Sequence, residues 1–597
     1  MKLPCYPFRL FVLLGLALPA VALAQTVSVT VNAGTAVRTV DERVFGLNAT
    51  LWDPQAGSPQ TILLLKAADT RAIRVPGGSL SDEYHWRTNK SLANTWTWAT
   101  GFNGFTNLIT GLNAQAYVTV NYGTGTPEEA AAWVAYANAA ASATTAIGTD
   151  SKGYDWQNAG TWAALRGAAP LASDDGMNFL RIGRASAIGI KYWEIGNECY
   201  GTWETDEQAV KNDPTTYANR VQQYITKMKA VDPSIKVGVV AVTSRENASY
   251  KNWTPVMLAR LKALGVTPDF LIYHRYEQAP AADQPANPES DAVLLQKAKT
   301  WPEDAADLRQ QLVTNLGATE AAKVEIVVTE NNSVYAKPGK QTTSLVNGLY
   351  HADSVGSLLQ TEINALLWWD LRNSQDAANN NSATLYGWRA YGDYGVLSTP
   401  SAGGSATYYE GYPTFYVMKL LAKFARNLDT VVSATSNSTL LTVYAVRSIE
   451  GPLKLLVINK DPSATRTASI AVSGFNMPAA AFVHTYGKAQ DDAAKPGASG
   501  SIDIATTTMT VSGSTFTADF APYSVTVISL DATAAAPAPV TPAPVTPVIP
   551  TPVPVSGGGG GGGAPSWWFM TALGLVAVLR GRLGRGRAVA AVCDRRR

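Results

Sequence analysis

The chain predicts an eightfold β/α barrel (a TIM barrel of the α/β class) followed by a C-terminal β-sandwich, and three observations predict it. Eight short apolar runs alternate with helix-like stretches between residue 44 and residue 369. After Ala425 the pattern changes to alternating strands punctuated by Gly, Pro and Asn. Two of the eight runs, Ile190–Ile195 and Val324–Thr329, are closely followed by a glutamate.

The eight runs are Val44–Asn48, Ala72–Pro76, Ala116–Asn121, Ile190–Ile195, Ile235–Val242, Phe270–His274, Val324–Thr329 and Ile363–Trp369. Helices are expected between them, at Pro127–Ser142, Thr215–Val231, Ala292–Leu316 and Thr343–Gln360. The barrel accordingly occupies residues 25–425 and the sandwich residues 426–532. Expected sandwich strands are Leu440–Val446, Leu453–Asn459, Ala468–Val472, Phe482–Tyr486 and Ser524–Leu530. Within residues 25–33, Thr26–Val31 alternates in the same way and is compatible with membership of the sandwich.

Both ends read as targeting segments. Residues 1–24 form an export signal: Lys2 and Arg9, an apolar run from Leu10 to Leu18, then the small-x-small sequence Ala22-Leu23-Ala24. Residues 533–563 are a Pro-rich spacer ending in the heptaglycine Gly557–Gly563. Residues 564–597 combine an apolar segment with an arginine cluster from Arg580 to Arg597. This tail resembles the glycine-glycine carboxy-terminal sorting signals of Gram-negative bacteria. The resemblance implies transient membrane association, a sorting protease of the rhomboid type, and a final place at the cell surface or in the medium. A plain membrane anchor is the alternative.

Without its ends the body carries about −6 where the whole chain carries +2, which argues against nucleic acid as a partner. Cys5 lies in the signal and Cys593 in the tail, so processing leaves Cys199 alone, a packed thiol with no disulfide partner. The heptaglycine lacks the following Lys-Ser or Lys-Thr of a phosphate loop. The four histidines, His85, His274, His351 and His484, lack zinc-ligand spacing. Neither a metal nor a cofactor is expected.

A β/α barrel collects its chemistry at the carboxyl ends of its strands. In barrel order these ends offer Asn48 and Trp52; Arg74 and Pro76-Gly77-Gly78-Ser79; Asn121 and Tyr122; Asn197 and Glu198. They continue with His274 and Tyr276, then Glu330-Asn331-Asn332, then Trp368, Trp369 and Asp370. Amides, carboxylates and aromatic rings suit a sugar, whose hydroxyls need polar partners and whose C–H faces pack on rings. Candidate catalytic groups are Glu198 and Glu330; candidate substrate-binding residues are Asn48, Arg74, Ser79, Asn121, Asn197, His274, Tyr276 and Trp369. Glu198, flanked by Tyr200 and Trp203, is expected to have a raised pKa and to act as general acid.

The sequence Trp193-Glu194-Ile195-Gly196-Asn197-Glu198 resembles the acid/base motif of clan A glycoside hydrolases. Its continuation Tyr200-Gly201-Thr202-Trp203 is most similar to glycoside hydrolase family 51, the α-L-arabinofuranosidases. Arg74-Val75-Pro76-Gly77-Gly78, Tyr273-His274-Arg275-Tyr276 and Val328-Thr329-Glu330 follow that family's order, as do Ile458-Asn459-Lys460-Asp461 and Pro522-Tyr523-Ser524-Val525 in the sandwich. The resemblance implies a retaining glycosidase acting on carbohydrate, with Glu198 as acid/base and Glu330 as nucleophile about 5 Å away. It implies Asn197 on the sugar 2-hydroxyl and Tyr276 or His274 orienting the nucleophile. Two departures bear on the sugar: Asn48-Ala49-Thr50 stands where the family usually has a Glu, and Ser79 where it usually has Asn. An endo-β-glycanase of the same clan is the second reading, given Trp86, Trp96, Trp98 and Trp203. A non-catalytic carbohydrate-binding protein is the third, and it predicts loss of a carboxylate, whereas both are present.

Overall fold

The computed structural model describes residues 26–531, apart from residues 92, 94 and 401–406. The export signal, the Pro/Gly-rich spacer and the basic tail therefore lie outside the described residues. Among the described residues, no helix is long and apolar enough to cross a membrane.

Eight parallel strands close into a barrel: Gly46–Asn48, Ala72–Val75, Gln115–Val120, Tyr192–Ile195, Lys236–Ala241, Phe270–Gln278, Glu325–Val334 and Leu366–Trp368. The eighth closes on the first through Leu367 opposite Gly46. These strands read as nearly continuous apolar runs because helices cover the outside while side chains fill the inside. The first strand is shorter than expected. Asp41 accepts from the Arg43 backbone N–H and turns residues Glu42–Val44 into a 3-10 turn. Arg43 then bridges Asp41 and Glu325 and lies over the Tyr192 ring.

The helices start where local chemistry permits. Thr126 accepts from the Glu129 N–H, and Pro127 supplies its preset φ at the first position of Pro127–Asn138. That helix ends before the expected Ser142, since the Asn138 amide both donates to the Ile190 carbonyl and accepts from the Ile190 N–H. The expected helix Ala292–Leu316 is broken into Asp291–Leu294, a 3-10 turn at Ala298–Thr300, and Trp301–Leu316. Pro302 cannot donate to a preceding turn and so begins a helix instead of continuing one.

The sixth and seventh strands run past the barrel rim, pairing as far as Val334 opposite Gln278. Their register slips between Val328 and Glu330, leaving Thr329 as an extra residue. A bulge of this kind re-aims the side chains that follow it. Here it sets Glu330 opposite His274.

The second unit is a nine-stranded mixed sheet whose central strands are Leu453–Asn459, Leu441–Arg447, Thr430–Ser436 and Val27–Thr39. Val27–Thr39 pairs antiparallel with Thr430–Ser436 and parallel with Arg466–Ser473, so the amino-terminal strand belongs to this sheet. Every residue of Leu453–Asn459 is buried, since both faces of the strand are covered. Leu453, Leu455 and Val457 share an apolar cluster with Val29, Ile470 and Phe516, while Leu456 and Ile458 join the cluster of the barrel. The period of two thus divides one strand between two cores.

A buried ion pair crosses between the two units. Lys460 Nζ lies 2.9 Å from Asp353 Oδ2, with both side chains almost fully buried. The other Asp353 oxygen accepts from Thr442 Oγ1 at 2.7 Å and Tyr444 Oη at 2.8 Å. Removing one member of such a pair strands the other in a low dielectric. Lys460→Met is expected to cost about 3–5 kcal/mol in urea unfolding. Adding Asp353→Leu should recover most of that loss, and a single mutant as stable as wild type would show that the pair does not join the units.

Candidate active site

The fourth strand ends at Ile195, and the chain then makes a tight elbow carrying Asn197 and Glu198. Gly196 has φ +74°, and a Cβ there would collide with Cys199 Sγ and Tyr122 Cβ. Glu198 itself has φ +41°, a conformation that disfavours a side chain by about 1–3 kcal/mol. Surrounding bonds hold the elbow: Tyr217 Oη donates to the Ile195 carbonyl at 2.7 Å, and the Asn197 N–H donates to Asp82 Oδ2 at 3.1 Å. Cys199 is buried beneath the turn, where its thiol points to Asp82.

Arg74, with no exposed surface, is the hub of the site. Its Nε donates to Glu194 Oε2 at 2.6 Å, and Nη1 to Glu330 Oε1 at 2.7 Å and to Asn48 Oδ1 at 3.1 Å. Its Nη2 donates to Asn197 Oδ1 at 2.8 Å. Burial alone would lower the guanidinium pKa, but the Glu194 and Glu330 charges outweigh it and raise it. Glu330 takes a second bond from Tyr276 Oη at 2.6 Å, so both of its oxygens are held.

His274 stands between the two acids. Its Nδ1 is 3.0 Å from Glu198 Oε1 and 3.7 Å from Glu330 Oε2, and its Nε2 meets Thr329 Oγ1 at 3.1 Å. One ligating atom from each of Glu198, His274 and Glu330 falls within 4.8 Å of the others. Trp203 Nε1 donates to the remaining Glu198 oxygen at 2.9 Å.

The raised pKa expected for Glu198 is not what the structure gives. Burial does pull it upward, but the hydrogen bond and charge of His274 and the donors on Trp203 and Tyr200 outweigh burial, so it lies below the usual carboxylate value. The neighbouring rings were expected to act as apolar walls, whereas two of them present donors to the carboxylate.

The other candidate binding residues already have partners within the protein. Asn48 is fully buried, its amide donating to the Thr329 carbonyl at 2.8 Å and accepting from Arg74. Its amide is thus spent on the barrel interior. Asn121 accepts from the Thr124 and Gly125 N–H groups of its own loop and donates to Thr124 Oγ1 and to the Tyr84 carbonyl. Arg74 is fully buried and spends its guanidinium on Glu194, Glu330, Asn48 and Asn197. Trp369 lies against Gly78, where a Cβ would come within 2.8 Å of the ring, and packs edge-on to Trp52. Ser79 is exposed and donates to Glu204 Oε1 at 2.8 Å. Glu204 and Asp82 were not singled out from the sequence, where each is one acid in a polar loop and nothing in the local pattern signals burial.

No family model matches the chain. Over 185 residues it is 30% identical to α-L-arabinofuranosidase C of Emericella nidulans, covering 29% of this chain and 30% of the fungal one. Over 225 residues it is 28% identical to the intracellular exo-α-L-arabinofuranosidase of Bacteroides ovatus, covering 36% of each. These alignments span about a third of the relatives' length. The solved α-L-arabinofuranosidase of Thermotoga maritima in complex with arabinose superposes with a TM-score of 0.62 at 19% identity, over 84% of this chain and 99% of the other. A Paenibacillus polymyxa xyloglucanase of glycoside hydrolase family 44 superposes at 0.54 with 14% identity, over 85% and 100%. At these identities the structural likeness establishes the fold, a (β/α)8 barrel with a C-terminal β domain.

The donors around Glu198 can be tested without a substrate. In carbon-13 titrations of labelled glutamate carboxyls, Glu198 should titrate below an ordinary glutamate. Trp203→Phe, at a side chain that is half exposed, should move it upward through loss of one donor. A wild-type value above the ordinary one would contradict this electrostatic picture.

Proposed function

We propose that the protein is a retaining glycoside hydrolase that removes α-L-arabinofuranosyl groups from a polysaccharide or oligosaccharide. The observation that carries the reaction class is the closeness of Glu198 and Glu330, one oxygen of each lying within 4.8 Å of the other across the barrel mouth. Retaining glycosidases hold their carboxyls about 5 Å apart, too close for a water to be activated between them. The choice of sugar is supported by the arabinofuranosidases to which the sequence is similar. Export and transient attachment through the basic tail remain part of the reading, supported by the sequence of both ends.

In the first step a Glu330 oxygen bonds to the anomeric carbon as the bond to the leaving oxygen breaks, and Glu198 gives its proton to that oxygen. In the second, Glu198 takes a proton from water as the water oxygen replaces Glu330. Arg74 and Tyr276 fix the two Glu330 oxygens, so little reorientation precedes attack. Glu198 starts as a stabilised carboxylate. A substrate oxygen that takes the place of the Trp203 or His274 partner removes a stabiliser of the charge, which lets the group hold the proton it must deliver.

Glu330→Gly should abolish hydrolysis, and added azide should restore turnover by giving a glycosyl azide of inverted configuration. The first product of the wild type, observed by proton NMR before mutarotation, should keep the anomeric configuration of the substrate. Nitrophenyl glycosides compared with arabinan, xylan and β-glucan would identify the sugar. An inverted first product would remove the covalent step, and turnover of β-glucan or xylan chains alone would replace the arabinofuranosidase reading with an endo-acting one.

A further inference from the structure

The loop after the fourth strand carries a buried acid that the two-carboxylate chemistry does not use. Glu204 directly follows Trp203 and is 6% exposed. Its Oε1 accepts from Asn197 Nδ2 at 3.1 Å and from Ser79 Oγ at 2.8 Å. Its Oε2 is buried and makes no hydrogen bond. Such an atom costs about 1–3 kcal/mol if left unsatisfied, so its retention calls for an explanation.

The network decides which way the Asn197 amide points. Arg74 can only donate, so the amide oxygen must face Arg74 Nη2. The NH2 group must then face Glu204, whose Oε1 accepts it. One N–H is spent there, which leaves the other for a further acceptor. Without Glu204 the NH2 would lose the partner that opposes Arg74, and the amide could pivot on a single bond.

We propose that Glu204 is a positioning residue for the sugar that is cut, holding the Asn197 amide and the Ser79 hydroxyl in the orientation that meets a glycone hydroxyl. The proposal rests on the glycosidase reading for its kinetic part but not for its structural part. Burial, together with the Asp82 and Glu198 charges, drives the Glu204 carboxyl well above its ordinary value, against the pull of the Ser79 and Asn197 bonds. Asp82 beside it is pushed up to about 7, chiefly by burial. What Glu204 offers both of its partners is a single accepting oxygen, Oε1. Glutamine, which also offers an acceptor at Oε1, should replace it, whereas leucine should not.

Crystal structures and kinetics of Glu204→Gln and Glu204→Leu test this together. Glu204→Gln should leave the Asn197 amide in place and keep kcat/KM within about fivefold of wild type. Glu204→Leu should turn the amide and lower kcat/KM by about 10–100-fold, mostly in kcat, with the thermal midpoint kept. On the 2-deoxy analogue of whichever nitrophenyl glycoside the wild type cleaves, the Leu penalty should largely vanish, since the hydroxyl it serves is gone. An Asn197 amide unmoved in Glu204→Leu would overturn the proposal whether or not any glycoside is cleaved. So would a Gln variant as damaged as the Leu variant, or a Leu penalty of the same size on the deoxy substrate. Absence of glycosidase activity in the wild type would instead count against the proposed function, with the amide orientation still deciding the role of Glu204.

Discussion

The structure depends on one buried cation shared by two buried carboxylates. Arg74 has no contact with water, and each arm of its guanidinium is used: Glu194 on Nε, Glu330 and Asn48 on Nη1, Asn197 on Nη2. A fork of fixed shape is needed for this, since an ammonium could not reach four partners drawn from three strands at once. Glu194 is further held by Thr119 Oγ1, on the neighbouring strand, at 2.8 Å. Glu330 is thereby referenced to the barrel interior, and Glu198 indirectly, through its neighbour Asn197 in the elbow.

Around that hub the fold supplies two distortions from regular geometry. The elbow at Gly196 and Glu198 lifts the acid/base candidate off the fourth strand with positive φ. The bulge at Thr329 turns the seventh strand so that Glu330 comes opposite His274. His274 then ties both together, reaching Glu198 with one ring nitrogen and the bulged Thr329 with the other. The chain enters and leaves the barrel at adjacent positions, since the Val40 N–H donates to the Asp429 carbonyl and the Leu428 N–H to the Val40 carbonyl.

Much of this was legible in the sequence because burial on both faces writes a barrel strand as an apolar run. All eight runs correspond to strands, and both glutamates lie at the mouth. Features that depend on contacts distant in sequence were harder to read. Asn48 and Asn121 lie at strand ends exactly as a ligand residue would, yet one supports Arg74 and the other closes its own turn. Nothing local distinguishes those uses. The direction of the Glu198 pKa was misread because proximity to aromatic rings says nothing about where the indole N–H points. The bulge at Thr329 carries no Gly or Pro signal. Pro302, by contrast, stood in plain view as a helix start inside the stretch read as one continuous helix.

The central claim is that Arg74 fixes the aim of Glu330, and the activity and crystal structure of Arg74→Met test it most directly. Removing the guanidinium takes one of the two donors from Glu330 and the counter-charge from buried Glu194. The Glu330 carboxylate should turn away from its wild-type position, and kcat/KM should fall by about 100-fold. A variant with Glu330 unmoved and kcat/KM within a few-fold of the wild type would contradict the account.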